Sequence, residues 1–127
     1  MRSRADDWLK QARRDLEQAE ASRRDGRHEW ACFAAQQAAE KAVRAAHPAK
    51  ARDAWGHVVA RLLVELPVDV PPDLVEQARV LDSSYIPTRY ANSHAKGPPF
   101  EHYGPLQSEE AIRYAGAIVR FAGSLLA

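Results

Sequence analysis

Trp30-Ala31-Cys32-Phe33-Ala34-Ala35-Gln36-Gln37-Ala38-Ala39-Glu40-Lys41-Ala42-Val43-Arg44-Ala45-Ala46 is dense in alanine and contains neither glycine nor proline. Alanine loses the least freedom of any residue on entering a helix. The stretch therefore predicts a helix of about four to five turns at roughly 3.6 residues per turn. Small side chains let neighbouring helices approach closely, which makes this the central helix. Gln36, Glu40 and Arg44 are spaced by four, with Gln37 and Lys41 in a second row beside them. Residues at that spacing share one helix edge. The resulting polar ladder has two readings: a solvated face with a Glu40/Arg44 pair worth about 0.2–0.5 kcal/mol, or the lining of a cleft or a dimer seam.

Working outward, the short Asp25-Gly26-Arg27 connection predicts an antiparallel helix on the N-terminal side, forming a hairpin. In that first helix Trp8, Ala12, Leu16 and Ala19 form an apolar stripe, and Arg13/Glu17 and Glu20/Arg24 make opposite-charge pairs on the other side. Ser3 is its expected cap, with Asp6 and Asp7 in the first turn where the helix dipole favours negative charge. On the C-terminal side Pro48 ends the central helix. Asp53 then caps a third, in which Trp55, Val58, Val59, Leu62, Leu63 and Leu66 repeat at three and four before Pro67. Pro71-Pro72 suits a helix N-terminus and opens a fourth, with Leu74, Ala78 and Leu81 facing inward.

From about Tyr85 to Gln107, Pro87, Gly97-Pro98-Pro99 and Gly104-Pro105 break every periodic pattern. A connection of this length inside a compact domain is uncommon and usually functional or disordered. It leaves open a continuation of the fourth helix or a short helix of its own. Ser108-Glu109-Glu110 is the expected start of the last helix, where Ile112, Ala115, Val119, Ala122 and Leu126 share a face. Ile118, Phe121 and Leu125 widen that face enough for burial on two sides. No segment alternates cleanly with period two. The expectation is all-α: an up-and-down bundle of about five helices in a single domain over residues 1–127, with a long loop before the last helix.

Composition narrows the chemistry by exclusion. The 127 residues carry a formal charge of +1, so no global field announces nucleic acid or membrane. Only Lys10, Lys41, Lys50 and Lys96 among the 18 basic residues are lysine; the rest are arginine, the better phosphate fork. The single Cys32 sits among Ala and Phe and reads as a small core residue rather than a nucleophile. The charged N-terminus lacks a signal core and no run approaches ~18 apolar residues, so a cytoplasmic protein with no membrane segment is expected. There is no phosphate-binding glycine loop, no dinucleotide fingerprint, no nucleophile elbow and no metal-ligand spacing among the five histidines, so neither a metal nor a cofactor is expected.

What remains is Arg89-Tyr90-Ala91-Asn92-Ser93-His94. A guanidinium holds phosphoryl charge and an imidazole moves protons near neutral pH, the two groups that metal-free phosphodiester chemistry needs. The same Arg-x4-His spacing recurs at Arg23/His28 and Arg52/His57, so spacing by itself does not choose between a functional and a structural role.

Trp8 with Ala12, Asp15, Leu16 and Ala19, then Phe33-x2-Gln36-Gln37-Ala38-Ala39-Glu40-Lys41-Ala42, then Gly56-His57 and Tyr85-x3-Arg89-Tyr90, together resemble the HEPN (higher eukaryotes and prokaryotes nucleotide-binding) domain over nearly the whole chain. The resemblance implies an all-α bundle forming a homodimer with a polar cleft composed from both subunits. Many members are encoded beside a minimal nucleotidyltransferase in two-component toxin–antitoxin systems, and others are metal-independent ribonucleases with an Arg-x4-6-His motif. It places Arg89 and His94 in that motif as catalytic residues. His94 would act on the ribose 2′-hydroxyl and Arg89 would stabilise the phosphorane, leaving a 2′,3′-cyclic phosphate. Tyr85, Tyr90, Asn92, Glu40, Lys41 and Asp15 would bind nucleotide or RNA. Ribonuclease members commonly carry a small polar residue directly after the arginine; here it is Tyr90, and the Arg-Tyr form looks more like the nucleotidyltransferase-linked branch. The sequence therefore carries two further readings beside an endoribonuclease: a non-catalytic nucleotide-binding module and a protein-interaction subunit.

Overall fold

In the computed structural model residues 4–47 and 58–127 are described. The expected Ser3 cap, the Pro48 stop, the Asp53 cap, Trp55, the Gly56-His57 pair and the Arg52/His57 spacing lie outside the described residues. Among the described residues there are five helices: α1 (Arg4–Arg24), α2 (His28–Ala46), α3 (Val59–Val64), α4 (Pro72–Asp82) and α5 (Pro105–Leu126). No strand occurs among the described residues. The fold is all-α, as the periodicity predicts.

The hairpin between α1 and α2 is closed by backbone chemistry legible in the sequence. Gly26 adopts φ +75°, the left-handed region a side chain disfavours. This lets Gly26 N donate to Arg23 O at 3.0 Å and Arg27 N to Ser22 O at 2.8 Å. The paired bonds satisfy carbonyls that the helix end would otherwise leave open.

Alanine decides the packing. Helix α2 touches each of the other four helices, and Ala31, Ala35, Ala38, Ala39, Ala42 and Ala45 are all fully buried. Two apolar clusters flank it. One joins Leu9 and Ala12 of α1 to Ala38, Ala42 and Ala45 of α2 and Val119 and Ala122 of α5, with Trp8 and Leu16 partly buried at its edge. The other joins Cys32, Ala39 and Val43 to Leu63 of α3, Leu81 of α4 and Ile118 of α5. Ile118 and Val119 thus belong to different clusters, the two-sided burial expected of the last helix; Leu125 and Leu126 are exposed near its end.

Three expectations are corrected. The last helix begins at Pro105 rather than Ser108. Proline at the first helical position sacrifices no hydrogen bond, and Gln107 Oε1 reaches back to accept the Gly104 N–H at 2.7 Å. Ser108 lies inside the helix, fully buried, donating to Pro105 O at 3.1 Å. Val58, expected on the inner stripe of the third helix, is an extended, exposed N-cap residue. The solvated-face reading of the polar ladder also fails: Gln36 is 0% exposed, Glu40 5% and Arg44 6%. Helices α3 and α4 pack on α2, and the Gln36, Glu40, Arg44 row is covered by protein while Gln37 and Lys41 stay partly buried. Glu40 accepts from Arg44 Nε at 3.2 Å in that buried setting, where removing one partner of an ion pair costs about 3–5 kcal/mol. Gln36 donates to Asp82 Oδ1 at 3.3 Å. The two Asp82 oxygens accept the N–H groups of Val59 at 2.8 Å and Ala60 at 3.0 Å, so a side chain from α4 supplies the N-terminal cap that α3 lacks locally.

Candidate functional site

The aperiodic stretch expected from about Tyr85 to Gln107 lies between α4 and α5 at residues 83–104, and it is pinned by side-chain to backbone bonds. Thr88, almost fully buried, donates to Ser84 O at 2.6 Å. Short 3-10 turns form at Ala91–Ser93 and Pro99–His102. Gly97 turns the chain at φ +82°, the left-handed region that a side chain disfavours.

Arg89 leaves this segment into an aromatic cage. Its Cζ lies 4.4 Å from the Phe33 ring centroid, 4.5 Å from that of Tyr85 and 5.0 Å from that of Tyr90. Its Nε and Nη2 donate to Tyr85 O at 3.0 and 2.8 Å. Each cation–π contact is worth about 0.5–2 kcal/mol, and together they fix the guanidinium plane. Of the five guanidinium N–H groups, the Nη1 pair and one on Nη2 remain for an acceptor. The arrangement is an oriented, partly exposed cation with a ready fork for an oxoanion.

His94 takes other partners. Its Nε2 lies 2.6 Å from Pro87 O, and since a carbonyl only accepts, Nε2 carries the proton and Nδ1 is left as the basic atom. The ring stacks on His102 with centroids 4.0 Å apart and planes within 8°. His102 Nε2 donates in the same way to Lys96 O at 2.6 Å. Both rings line a recess of about 290 Å³ with Cys32, Ser83, Ser84, Tyr103, Gln107 and Glu110. Burial pushes the Tyr103 phenol above its ordinary value, opposed by a hydrogen bond with Ser84. Burial, reinforced by Glu29, pushes the Cys32 thiol up to about 12, which leaves it an inert wall.

A second, larger hollow of about 510 Å³ lies between α1 and α2, lined by Asp15, Gln18, Ser22, Arg27, Trp30, Phe33, Ala34, Gln37 and Lys41. Lys41 Nζ is 2.5 Å from Asp15 Oδ2, and Gln11 donates to Asp15 Oδ1 at 2.8 Å.

The residues singled out from the sequence are thus distributed. Arg89, Tyr85 and Tyr90 meet in the cage; Asp15 and Lys41 meet in the α1–α2 hollow; Glu40 is buried with Arg44; Asn92 is exposed on the first 3-10 turn. Arg89 and His94 share no contact within one chain. Phe33, Trp30 and His102 had no assigned role from spacing: Tyr85 and Arg89 lie more than fifty residues from Phe33, His94 lies across a loop from His102, and periodicity along one helix does not report that Trp30 is left exposed. Among the described residues no group of three His, Cys, Asp or Glu side chains is placed to hold a metal ion. No described helix is long and apolar enough to cross a membrane.

An alanine-centred five-helix bundle that presents an aromatic-clamped arginine beside a histidine-lined recess defines the class. The HEPN domain model matches residues 5–125, and the chain belongs to that family. The structure superposes on the crystal structure of TT1696 from Thermus thermophilus with a TM-score of 0.91, at 51% identity over 98% of this chain and 99% of that one. The archaeal HEPN homologue ST0689 gives 0.81 at 36% identity, covering 98% and 99%. A HEPN domain protein from Thermotoga maritima gives 0.73 at 35% identity, covering 94% and 96%. No curated protein matches.

Proposed function

We propose that this HEPN protein acts on RNA phosphates as a metal-independent endoribonuclease, with Arg89 as the phosphate receptor and His94 as the proton carrier. It works as a homodimer and as one half of a two-component, toxin–antitoxin-like system with a minimal nucleotidyltransferase in the cytoplasm. The observation that carries the reading is the clamp on Arg89: a guanidinium held by three rings and one carbonyl is pre-oriented before substrate arrives, and pre-orientation of charge is the largest contribution a protein makes to phosphoryl chemistry. The Arg89-Tyr90 pairing and the family membership support the nucleotidyltransferase link.

In the step envisaged, His94 Nδ1 takes the proton of a ribose 2′-hydroxyl. The 2′-oxygen attacks the adjacent phosphorus, and Arg89 neutralises the charge that builds on the phosphorane oxygens. The P–O5′ bond then breaks, the 5′-oxygen leaves with a proton taken from solvent water, His94 returns its proton to solvent, and a 2′,3′-cyclic phosphate remains. The test is incubation of the pure protein with single-stranded RNA in EDTA. Arg89→Ala and His94→Ala are each expected to slow cleavage by about 10²-fold or more. Cleavage that survives both substitutions removes the assigned site. Binding without cleavage by the unaltered protein favours the non-catalytic nucleotide-binding module, and nuclease-free co-purification with a nucleotidyltransferase favours an interaction subunit.

A further inference from the structure

We infer that the hollow between α1 and α2 is a base-stacking subsite that takes an unpaired nucleobase adjoining the phosphate on Arg89. The inference rests on the phosphate reading above and names its substrate class as single-stranded.

Trp30 stands at the hollow 46% exposed, a large aromatic surface left uncovered. Its indole meets the Phe33 ring edge-on, with centroids 6.1 Å apart at 80°. Phe33 lines the hollow and is also the ring closest to the Arg89 guanidinium. One phenyl ring therefore joins the hollow to the arginine cage, and Trp30 and Arg89 lie within the reach of a single nucleotide.

The polar lining selects what enters. Of the two cations lining the hollow, Lys41 is paired with Asp15 at 2.5 Å, and only the exposed Arg27 stays open to a phosphate. The Gln37 amide nitrogen donates to Gln36 Oε1 at 2.8 Å and that of Gln18 to Ser22 Oγ at 3.0 Å. Each glutamine keeps its amide oxygen as an acceptor, suited to the N–H groups on a base edge. A planar ring with N–H donors stacked on an indole, and a phosphate carried to a separate guanidinium, is the division of labour by which proteins hold single strands. A duplex, with its bases stacked and paired, presents no free face to Trp30.

The measurement is the affinity of the full chain for three probes at one salt concentration: a short single-stranded RNA, the matching duplex, and a tetrahydrofuran-phosphate oligomer that keeps the phosphates and lacks the bases. The single strand is expected to bind tightest and to quench tryptophan fluorescence. Trp30→Ala should weaken single-strand binding roughly tenfold, within the range for loss of one stacked base, and leave the base-free oligomer unchanged. Trp30→Phe should restore most of the loss, and Arg89→Ala should weaken both probes. Equal binding of RNA by Trp30→Ala and the unaltered protein overturns the subsite, and is also the result expected if the hollow receives a protein partner instead. If that happens while Arg89→Ala still weakens the base-free oligomer, the phosphate reading survives. If the unaltered protein binds none of the three, both fall.

Discussion

Arg-x4-His occurs three times in this chain, and at the level of single residues the fold separates two of them. Arg23 pairs with Glu109 at 3.5 Å, and His28 Nδ1 lies 2.8 Å from the Ser108 hydroxyl. That pair fastens the hairpin turn to α5. Arg89 and His94 instead bond to backbone carbonyls that hold their rings and leave a working edge on each. Residue type and spacing were identical, and the surroundings were not. Cys32 was legible from the start, because a thiol in an alanine run on a central helix has nowhere to go but the core. Its folded value near 12 lies above the ordinary one, so it destabilises the fold only as pH rises through the window from about 9 to 12. At pH 8 the buried thiol stays protonated. Native protein should therefore resist alkylation at pH 8 and react promptly once unfolded, which mass spectrometry of iodoacetamide-treated samples checks; rapid labelling of the folded chain would contradict the burial.

Among the helices, the ladder on α2 is the feature whose shared edge helical spacing described and whose environment it left open between solvent and a cleft or dimer seam. Periodicity reports which residues share an edge, but what covers that edge is decided by α3 and α4, whose approach depends on Asp82 capping α3 from another helix. Burial raises the Asp82 carboxyl above its ordinary range, opposed by hydrogen bonds from Ala60, Val59 and Gln36. With the folded value above the unfolded one, the native state binds more protons between the two. The group's contribution to stability is therefore greatest at the acid end of that window and falls as pH rises through it. Urea denaturation of the wild type and Asp82→Asn from pH 4 to pH 7 should show the wild-type advantage shrinking toward neutrality. An advantage that grows with pH would mean that the three hydrogen bonds outweigh desolvation. Asp82→Ala should destabilise at every pH by about 1–3 kcal/mol, the cost of leaving buried N–H groups unmet.

For the whole molecule, Arg89 stands in its aromatic cage and His94 in the recess it shares with His102, and the question the proposed chemistry poses is whether its site draws on two copies. If it does, mixing Arg89→Ala with His94→Ala protein lets a heterodimer assemble one groove with both native residues. Cleavage should then recover to about a quarter of the wild-type rate at statistical exchange. A site contained within one chain leaves each groove of that heterodimer with one lesion, and the mixture stays as slow as its parts. What the amino-acid order determined by itself was local: the central helix from its alanines, the hairpin from Gly26, the two-sided last helix, the inert cysteine, and the family. These are consequences of backbone propensity and of spacing along one helix, which neighbours in the chain are enough to express. The tertiary structure alone decided that the polar ladder is buried, that Ser108 lies inside a helix, that Phe33 carries Arg89, and that His94 stacks on His102. Each of those depends on surfaces brought together from distant parts of the chain, and on which groups lose water when they meet.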